Sequence, residues 1–195
     1  SIDNIRIDYT DISVFSGVEL ETRFGTNDQK PISFFKNTPL DQAVSVELEK
    51  GTHVVRTSNS KRASALEVTL EWPGGLYHVN DAGEYDNATV SFILKYRKGK
   101  DDEWHNFNRE GTMDFAYSVT MATSDAVRRT FAVTGLEPGQ YDVRITMTER
   151  PTSTRYQTLT QWTILTSYTD GVYHRPNKVL VALRILATNQ LSSGI

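Results

Sequence analysis

Four histidines, His53, His78, His105 and His174, are the residues best suited to proton transfer or metal binding near neutral pH. No two of them stand four apart and no H-E-x-x-H run occurs, so they do not form the helical ligand pair of a zinc site. Each falls near a strand end or in a loop, where a solvated or internally bonded ring is the expectation. The loop Asn80-Asp81-Ala82-Gly83-Glu84-Tyr85-Asp86-Asn87 gathers oxygen donors of the kind that hold calcium. An EF-hand needs ligands at alternate positions and a glutamate at the twelfth. This loop lacks that spacing and reads as a polar hairpin. Glu67 and Glu71 share one face of a single strand, whereas glycoside hydrolysis needs two carboxylates facing each other across a cleft. No G-x-S-x-G elbow, Walker-type loop or G-x-G-x-x-G turn is present. Serine and threonine are abundant, but on strands they serve propensity and cross-strand bonding. These residues predict a chain that is not an enzyme and carries no cofactor or metal.

The aromatics offer a second chemistry, the stacking of a ligand on a ring. Trp72 and Trp104 are expected to fill a core. Tyr77 and Tyr85 fall in the loop after a predicted strand. They form either a ligand-contact platform, for a carbohydrate or a receptor, or rings packed on the end of a sheet.

The elements positioning these residues are strands. Phe131 and Val133 alternate with Thr130, Ala132 and Thr134. Tyr141, Val143, Ile145 and Met147 alternate with Asp142, Arg144, Thr146 and Thr148. A period of two marks half-buried strands. Between them lies Leu136-Glu137-Pro138-Gly139-Gln140-Tyr141. Pro138-Gly139 suits the centre of a type II turn, with glycine taking the positive φ. Tyr141 is placed to bond back to the backbone upstream, as in the tyrosine corner of immunoglobulin-like sandwiches. Leu136, Pro138, Gly139 and Tyr141 are therefore predicted to be a structural corner.

Length and charge bound the rest. The chain has 195 residues, 38% of them apolar, and a net charge of −3, enough apolar material for a real core. Lys95, Arg97, Lys98 and Lys100 cluster, but Asp102 and Glu103 follow closely, so no basic nucleic-acid stripe is expected. With no cysteine, disulfides and thiolate metal sites are excluded. The apolar run Val179–Leu183 is far too short to cross a bilayer as a helix. The chain opens on Ser1 without a signal-peptide pattern and reads as part of a longer polypeptide.

The predicted fold class is all-β: an antiparallel sandwich over residues 52–167, flanked by short strands of a second β unit. In the sandwich, Leu66, Val68, Leu70 and Trp72 form one alternating strand and Val90, Phe92, Leu94 and Tyr96 another. A short third strand carries Trp104 and Phe107, and a last one spans Tyr156 to Leu165. Residues 1–51 carry β-like pieces at Ile2–Asp8, Val18–Phe24 and Val44–Leu48. Residues 178–188 are apolar on both faces, the pattern of a strand buried on both sides. The expectation is that 1–51 and 168–195 join as a discontinuous unit into which the sandwich is inserted.

Two family resemblances attach to these segments. Trp72, the Val90–Tyr96 strand with Trp104, and the Leu136–Tyr141 turn together resemble a fibronectin type III module. That resemblance implies a fold and leaves function open. The flank Phe15-Ser16-Gly17-Val18-Glu19-Leu20-Glu21-Thr22-Arg23-Phe24-Gly25-Thr26-Asn27-Asp28-Gln29 resembles a passage of the tail tip attachment proteins of lambda-like bacteriophages, also called host specificity protein J. Residues 178–192, Lys178 to Ser192, are similar to the segment of that family that follows its inserted sandwich. Arg175-Pro176-Asn177 stands where the family usually has Tyr-Pro-Asn. The resemblance implies a structural, non-catalytic segment of a tail-tip hub. It further implies homotrimeric partners of the same chain, other tail proteins, and a host receptor contacted through other regions. It places the protein in the virion tail tip, made in the bacterial host cytoplasm, or encoded by a prophage. It implies no nucleic-acid binding and no membrane insertion by this segment. The alternative is a carbohydrate- or receptor-binding module that uses Tyr77 and Tyr85.

Overall fold

The computed structural model describes residues 4–7, 9–34, 37–100, 102–107, 110–171 and 175–185. His174 and the apolar tail from Leu186 onward lie outside the described residues. The strands, in chain order, begin with β1 (Arg6–Ile7), β2 (Thr10–Asp11), β3 (Val18–Phe24), β4 (Asn37–Glu47) and β5 (His53–Thr57). Next come β6 (Ala65–Trp72), β7 (Tyr77–Val79), β8 (Tyr85–Asp86), β9 (Ala88–Arg97), β10 (His105–Asn106) and β11 (Ala116–Met121). The last are β12 (Val127–Val133), β13 (Asp142–Glu149), β14 (Tyr156–Gln157), β15 (Gln161–Asp170) and β16 (Val179–Ile185). The protein is all-β, with one 3-10 turn at Ile12–Val14 and no α-helix among the described residues. It divides into two compact units, 1–38 with 171–195, and 39–170.

The 39–170 unit is a sandwich of two sheets. One runs β12-β6-β15-β4 and the other β10-β9-β13-β5, with β11 following β10 along the same edge of β9. Period-two patterning builds the core. Leu66, Val68, Leu70 and Trp72 of β6, Val90, Phe92 and Leu94 of β9, and Val143, Ile145 and Met147 of β13 are all fully buried. Burying a side chain of this size contributes about 1.5–3 kcal/mol. A register shift between Trp162 and Ile164 changes the parity of β15. Trp162 opposite Leu70 and Leu165 opposite Val68 consequently face the same core although they stand three apart.

The sandwich begins earlier than residue 52. β4 is an edge strand beside β15, and Leu48, just after it, is buried, donating its N–H to the Thr160 carbonyl at 2.9 Å. Asp41 accepts from the Thr166 hydroxyl (2.7 Å), so β4 and β15 run antiparallel. The Val44–Leu48 alternation is thus part of the sandwich and does not belong to the flank. In the immunoglobulin layout the first strand lies beside the second and the last beside the one preceding it. Here the late strand β15 takes the place beside β6, and the early strand β5 takes the place beside β13.

Trp104 is not in the core. It lies on the outer face of the β9–β13 sheet between two guanidinium groups, Arg97 at 4.6 Å and Arg144 at 4.4 Å from its ring. Phe107 fills the core position three residues later. Arg97 is anchored in turn on the Asp142 carboxylate through Nε and Nη2 at 3.1 and 3.0 Å. Nearby, Lys95 is almost wholly buried and donates to the Thr112 carbonyl (2.6 Å) and to Asp114 (2.5 Å). Stacking and charge pairing therefore pin the residues after β9 onto the sheet's outer face.

At the corner, the Tyr141 hydroxyl donates to the Glu137 carbonyl (2.5 Å), and the Tyr141 N–H donates to Ser58 Oγ (3.0 Å). Gly139 does not adopt the positive φ that a type II turn would require; the positive-φ glycine here is Gly135, at 72°. Gly139 lies close under the Lys98 side chain. It exchanges backbone hydrogen bonds with Ala63, and a Cβ would sit 2.6 Å from Lys98 Cε.

The 1–38 and 171–195 unit contains the β1–β2 pair and the β3–β16 ribbon. β3 and β16 are antiparallel in unbroken register from Phe24 opposite Val179 to Val18 opposite Ile185. The apolar β16 segment, expected to be buried on both sides, has one open face. A two-stranded ribbon has no second layer to cover it, and Phe24, Val179, Val181 and Leu20 are 65%, 61%, 49% and 43% exposed.

Four substitutions test the packing of the sandwich. Tyr141→Phe is expected to lower unfolding free energy by about 1 kcal/mol in urea titration, the worth of one hydrogen bond; an unchanged midpoint would remove the corner's role. Gly75 has φ 80°, and a Cβ there would overlap the Thr123 carbonyl and Ser124 backbone. Gly75→Ala should therefore cost at least ~2 kcal/mol and exceed Gly139→Ala, where a flexible lysine can move aside. The hydrogen bond from Lys95 holds the Asp114 carboxyl below its ordinary 3.8. Because that pKa is depressed in the folded state, the pair's stabilisation is complete above pH 3.8 and is lost as pH falls through the lowered value. Asp114→Asn should flatten this part of the acid-unfolding curve and leave its neutral arm parallel to that of the parent protein.

Candidate functional site

Among the described residues, those with potential chemistry lie apart from one another. Glu71 is engaged by Arg128, whose Nε donates at 2.6 Å, and Glu67 faces the Tyr168 hydroxyl at 3.5 Å. His53 lies on β5 and His105 on β10, both exposed, while His78 on β7 packs against Tyr156, ring centroids 4.4 Å apart. Among the described residues no three histidine, aspartate or glutamate side chains gather as a cation site. The 80–87 loop is organised by Asn80. Its Oδ1 accepts from the N–H groups of Ala82 (3.0 Å) and Glu84 (2.9 Å), and its N–H donates to the Glu84 carbonyl (3.0 Å). Asp81 is drawn away from the loop into an ion pair with Arg155. The Asn80 side-chain amide thereby closes the turn.

Tyr77 and Tyr85 are brought together on the small β14-β7-β8 sheet, with ring centroids 4.3 Å apart and planes tilted 34°. Tyr77 is partly buried and Tyr85 half-exposed. Each ring covers one face of the other, which leaves the outer side of Tyr85 as the open surface. Leu136, Pro138, Gly139 and Tyr141 sit together at the corner between β12 and β13, where burial, reinforced by Tyr96, Glu137 and Asp102, raises the Tyr141 hydroxyl pKa. That shift disfavours ionisation and suits a hydroxyl that serves as a permanent donor.

The more consequential constellation lies in the flanking unit. Arg23 on β3 donates through Nη1 to the Thr22 carbonyl (2.8 Å), through Nε to the Lys30 carbonyl (2.5 Å) and through Nη2 to the Pro31 carbonyl (2.7 Å). It also pairs with Glu21. Glu21 accepts from the Ser33 N–H (2.7 Å) and hydroxyl (2.8 Å). Desolvation pushes the Glu21 carboxyl up, but these Ser33 bonds and Arg23 outweigh it and hold it below its ordinary value. Gln29 is 8% exposed. Its Oε1 accepts from Gly25 N–H (2.9 Å), and its amide donates to the carbonyls of Arg175 (2.7 Å) and Lys178 (2.8 Å). Gly25 takes φ 88°, open to glycine and strained for other residues.

Glu21, Arg23, Gly25 and Gln29 therefore form a knot that fastens the turn after β3 and ties it to the strand that returns as β16. Sequence reasoning found these positions as a resemblance without assigning them work. The signal was present in the types themselves: an arginine and a glutamine beside a glycine turn are suited to satisfying loose carbonyls. Above the knot, Val18, Leu20, Phe24, Val179, Val181, Leu183 and Ile185 share one face of the ribbon by register.

The comparisons with known proteins agree with this division. The family model described as the FNIII-A domain of tip attachment protein J matches residues 39–171. The tip attachment protein J of Escherichia phage SECphi4 is 31% identical over 112 residues, which cover 56% of this chain and 10% of that protein. The chain thus spans about a tenth of the length of the curated relative it matches. The matched domain coincides with the sandwich unit, 39–170, to within one residue at its end. The chain belongs to the tip attachment protein J family, and residues 39–171 are its FNIII-A domain.

Proposed function

We propose that this chain is a structural, non-catalytic segment of a phage tail tip, with the β3–β16 ribbon as its assembly face and the sandwich as a module inserted between the two ribbon strands. The observation that carries the reading is the open apolar face of the ribbon, where Phe24 and Val179 are directly paired and both more than half exposed. A two-stranded ribbon is marginal in water and gains stability when its apolar face is covered. In a virion that cover comes from other parts of the parent chain, from further copies of it in a homotrimer, and from other tail proteins. Host attachment then uses regions elsewhere in the parent protein, and this segment braces them.

A second reading rests on the half-exposed Tyr85 stacked on Tyr77, a ring surface suited to a sugar or receptor side chain. One experiment separates the two. In the full parent protein of an infecting phage, Phe24→Lys with Val181→Lys is expected to reduce incorporation of the protein into particles at least ~10-fold, since two charges would be desolvated in an apolar contact. Tyr77→Ala with Tyr85→Ala should leave incorporation and adsorption unchanged. Normal particles from the lysine variant would refute the assembly reading. Intact particles that adsorb poorly with the alanine variant would establish the second.

A further inference from the structure

The ribbon has two edges as well as two faces, and the edges differ. β3 and β16 form a two-stranded sheet, so each strand offers one row of backbone groups outside the ladder. The side chains show which groups those are. The Thr22 carbonyl accepts from Arg23 Nη1 at 2.8 Å, which turns it away from β16. Along an antiparallel ladder inward and outward residues alternate, and directly opposed residues are both inward or both outward. Leu20, Thr22 and Phe24 therefore point their N–H and C=O groups outward, as do Leu183, Val181 and Val179 opposite them. Gln29 gives the same parity. Its amide bridges the Gly25 N–H and the Lys178 carbonyl, which stand one place beyond the outward pair Phe24 and Val179.

On β3 the outward row is partly occupied. Arg23 takes the Thr22 carbonyl, and with Glu21 it fastens residues 30–33 to the strand. On β16, among the described residues, no hydrogen bond outside the ladder reaches the backbone of Val179–Ile185. Edge strands are ordinarily blunted by proline, by lysine or by a bulge. β16 has none of these. It reads Val-Leu-Val-Ala-Leu-Arg-Ile in unbroken register, and its one charge, Arg184, is paired with Glu19. Left bare, a strand of this composition invites pairing with any other strand it meets.

We propose that the outward edge of β16 receives an added β-strand from elsewhere in the parent polypeptide, extending the ribbon and its apolar face. The chain spans about a tenth of its curated relative, so the remainder has ample length to supply one. A tethered strand is present at high effective concentration. It covers the edge as the protein folds, before a bare β16 can pair with another molecule. The added strand presents apolar side chains beside Val179, Val181 and Leu183, continuing the face they form. The inference deepens the assembly reading and rests on its claim that the ribbon is covered, but edge pairing and face packing can fail separately.

Hydrogen exchange read by peptic fragmentation and mass spectrometry tests it, comparing the 195-residue chain with the purified full-length parent protein. In the 195-residue chain the amides of Val179, Val181 and Leu183 should exchange freely, and those of Leu180, Ala182 and Arg184 slowly. In the parent protein the first set should slow by at least ~100-fold, equally at every protein concentration. Val181→Pro removes the central outward donor and spares the β3 ladder. It should leave the inward amides protected in both proteins and abolish the added protection of Val179 and Leu183 in the parent. Val181→Ala trims the side chain, keeps the N–H and should retain that protection. Four results would each overturn the proposal: outward amides equally fast in both proteins, protection that grows with concentration and so reports a second copy, equal effects of proline and alanine, or loss of inward protection in the proline variant. If any of these accompanied a Phe24→Lys, Val181→Lys protein that still failed to enter particles, the assembly face would stand without the edge. Normal particles from that lysine variant, with the outward amides protected, would remove the face and keep the edge.

Discussion

The adjacency of β4 and β15 in one sheet is the constraint on which the rest of the chain depends. Because the strands run antiparallel, with Leu48 bonded to Thr160 and Asp41 to Thr166, the two ends of the sandwich emerge side by side. A module with neighbouring ends can sit inside another unit without pulling it apart. The ribbon illustrates the benefit. Phe24 and Val179 pair across roughly 150 intervening residues, and closing so long a flexible loop costs about 4 kcal/mol by the logarithmic law. Once the sandwich folds, the effective loop shrinks to roughly 20 linking residues, and the closure cost falls by about 2 kcal/mol. The sandwich thus acts as a clasp for the strands on either side of it, whatever else it does.

The exchange of places between β5 and β15 serves the same constraint. In the ordinary immunoglobulin layout the first and last strands occupy opposite sheets, which would separate the ends of the chain. Here β15 crosses to the β6 sheet, where β4 joins it, and β5 fills the vacated edge beside β13. The resulting sheets keep their buried alternating faces, so the core is unaffected by the change in strand order. In the flanking unit, the family-like residues Glu21, Arg23, Gly25 and Gln29 are spent on backbone carbonyls and amides. Their chemistry is that of polar satisfaction.

Much of the fold is legible in the sequence because a half-buried strand writes its face into every second residue. β3 runs Val18–Phe24 as its pattern predicts, and the core positions of β6, β9 and β13 follow their alternation. The failures have separate physical causes. Trp104 is large and apolar by type, but two guanidinium groups offer its ring faces as good an environment as the core, and no spacing rule reveals that. Pro138-Gly139 has the composition of a type II turn, while Gly139 in fact pairs its backbone with Ala63 and lies against the Lys98 side chain, both distant in sequence. The local pattern leaves β4 outside the sandwich because its partner β15 lies more than a hundred residues away.

The proposal that the open ribbon face is an assembly surface in the tail tip can be checked in the assembled particle. A density map of the intact tail, at a resolution that traces side chains, tests it most directly. Phe24, Val179 and Val181 are expected to be buried there against another polypeptide segment. A map in which those three side chains face solvent would contradict it.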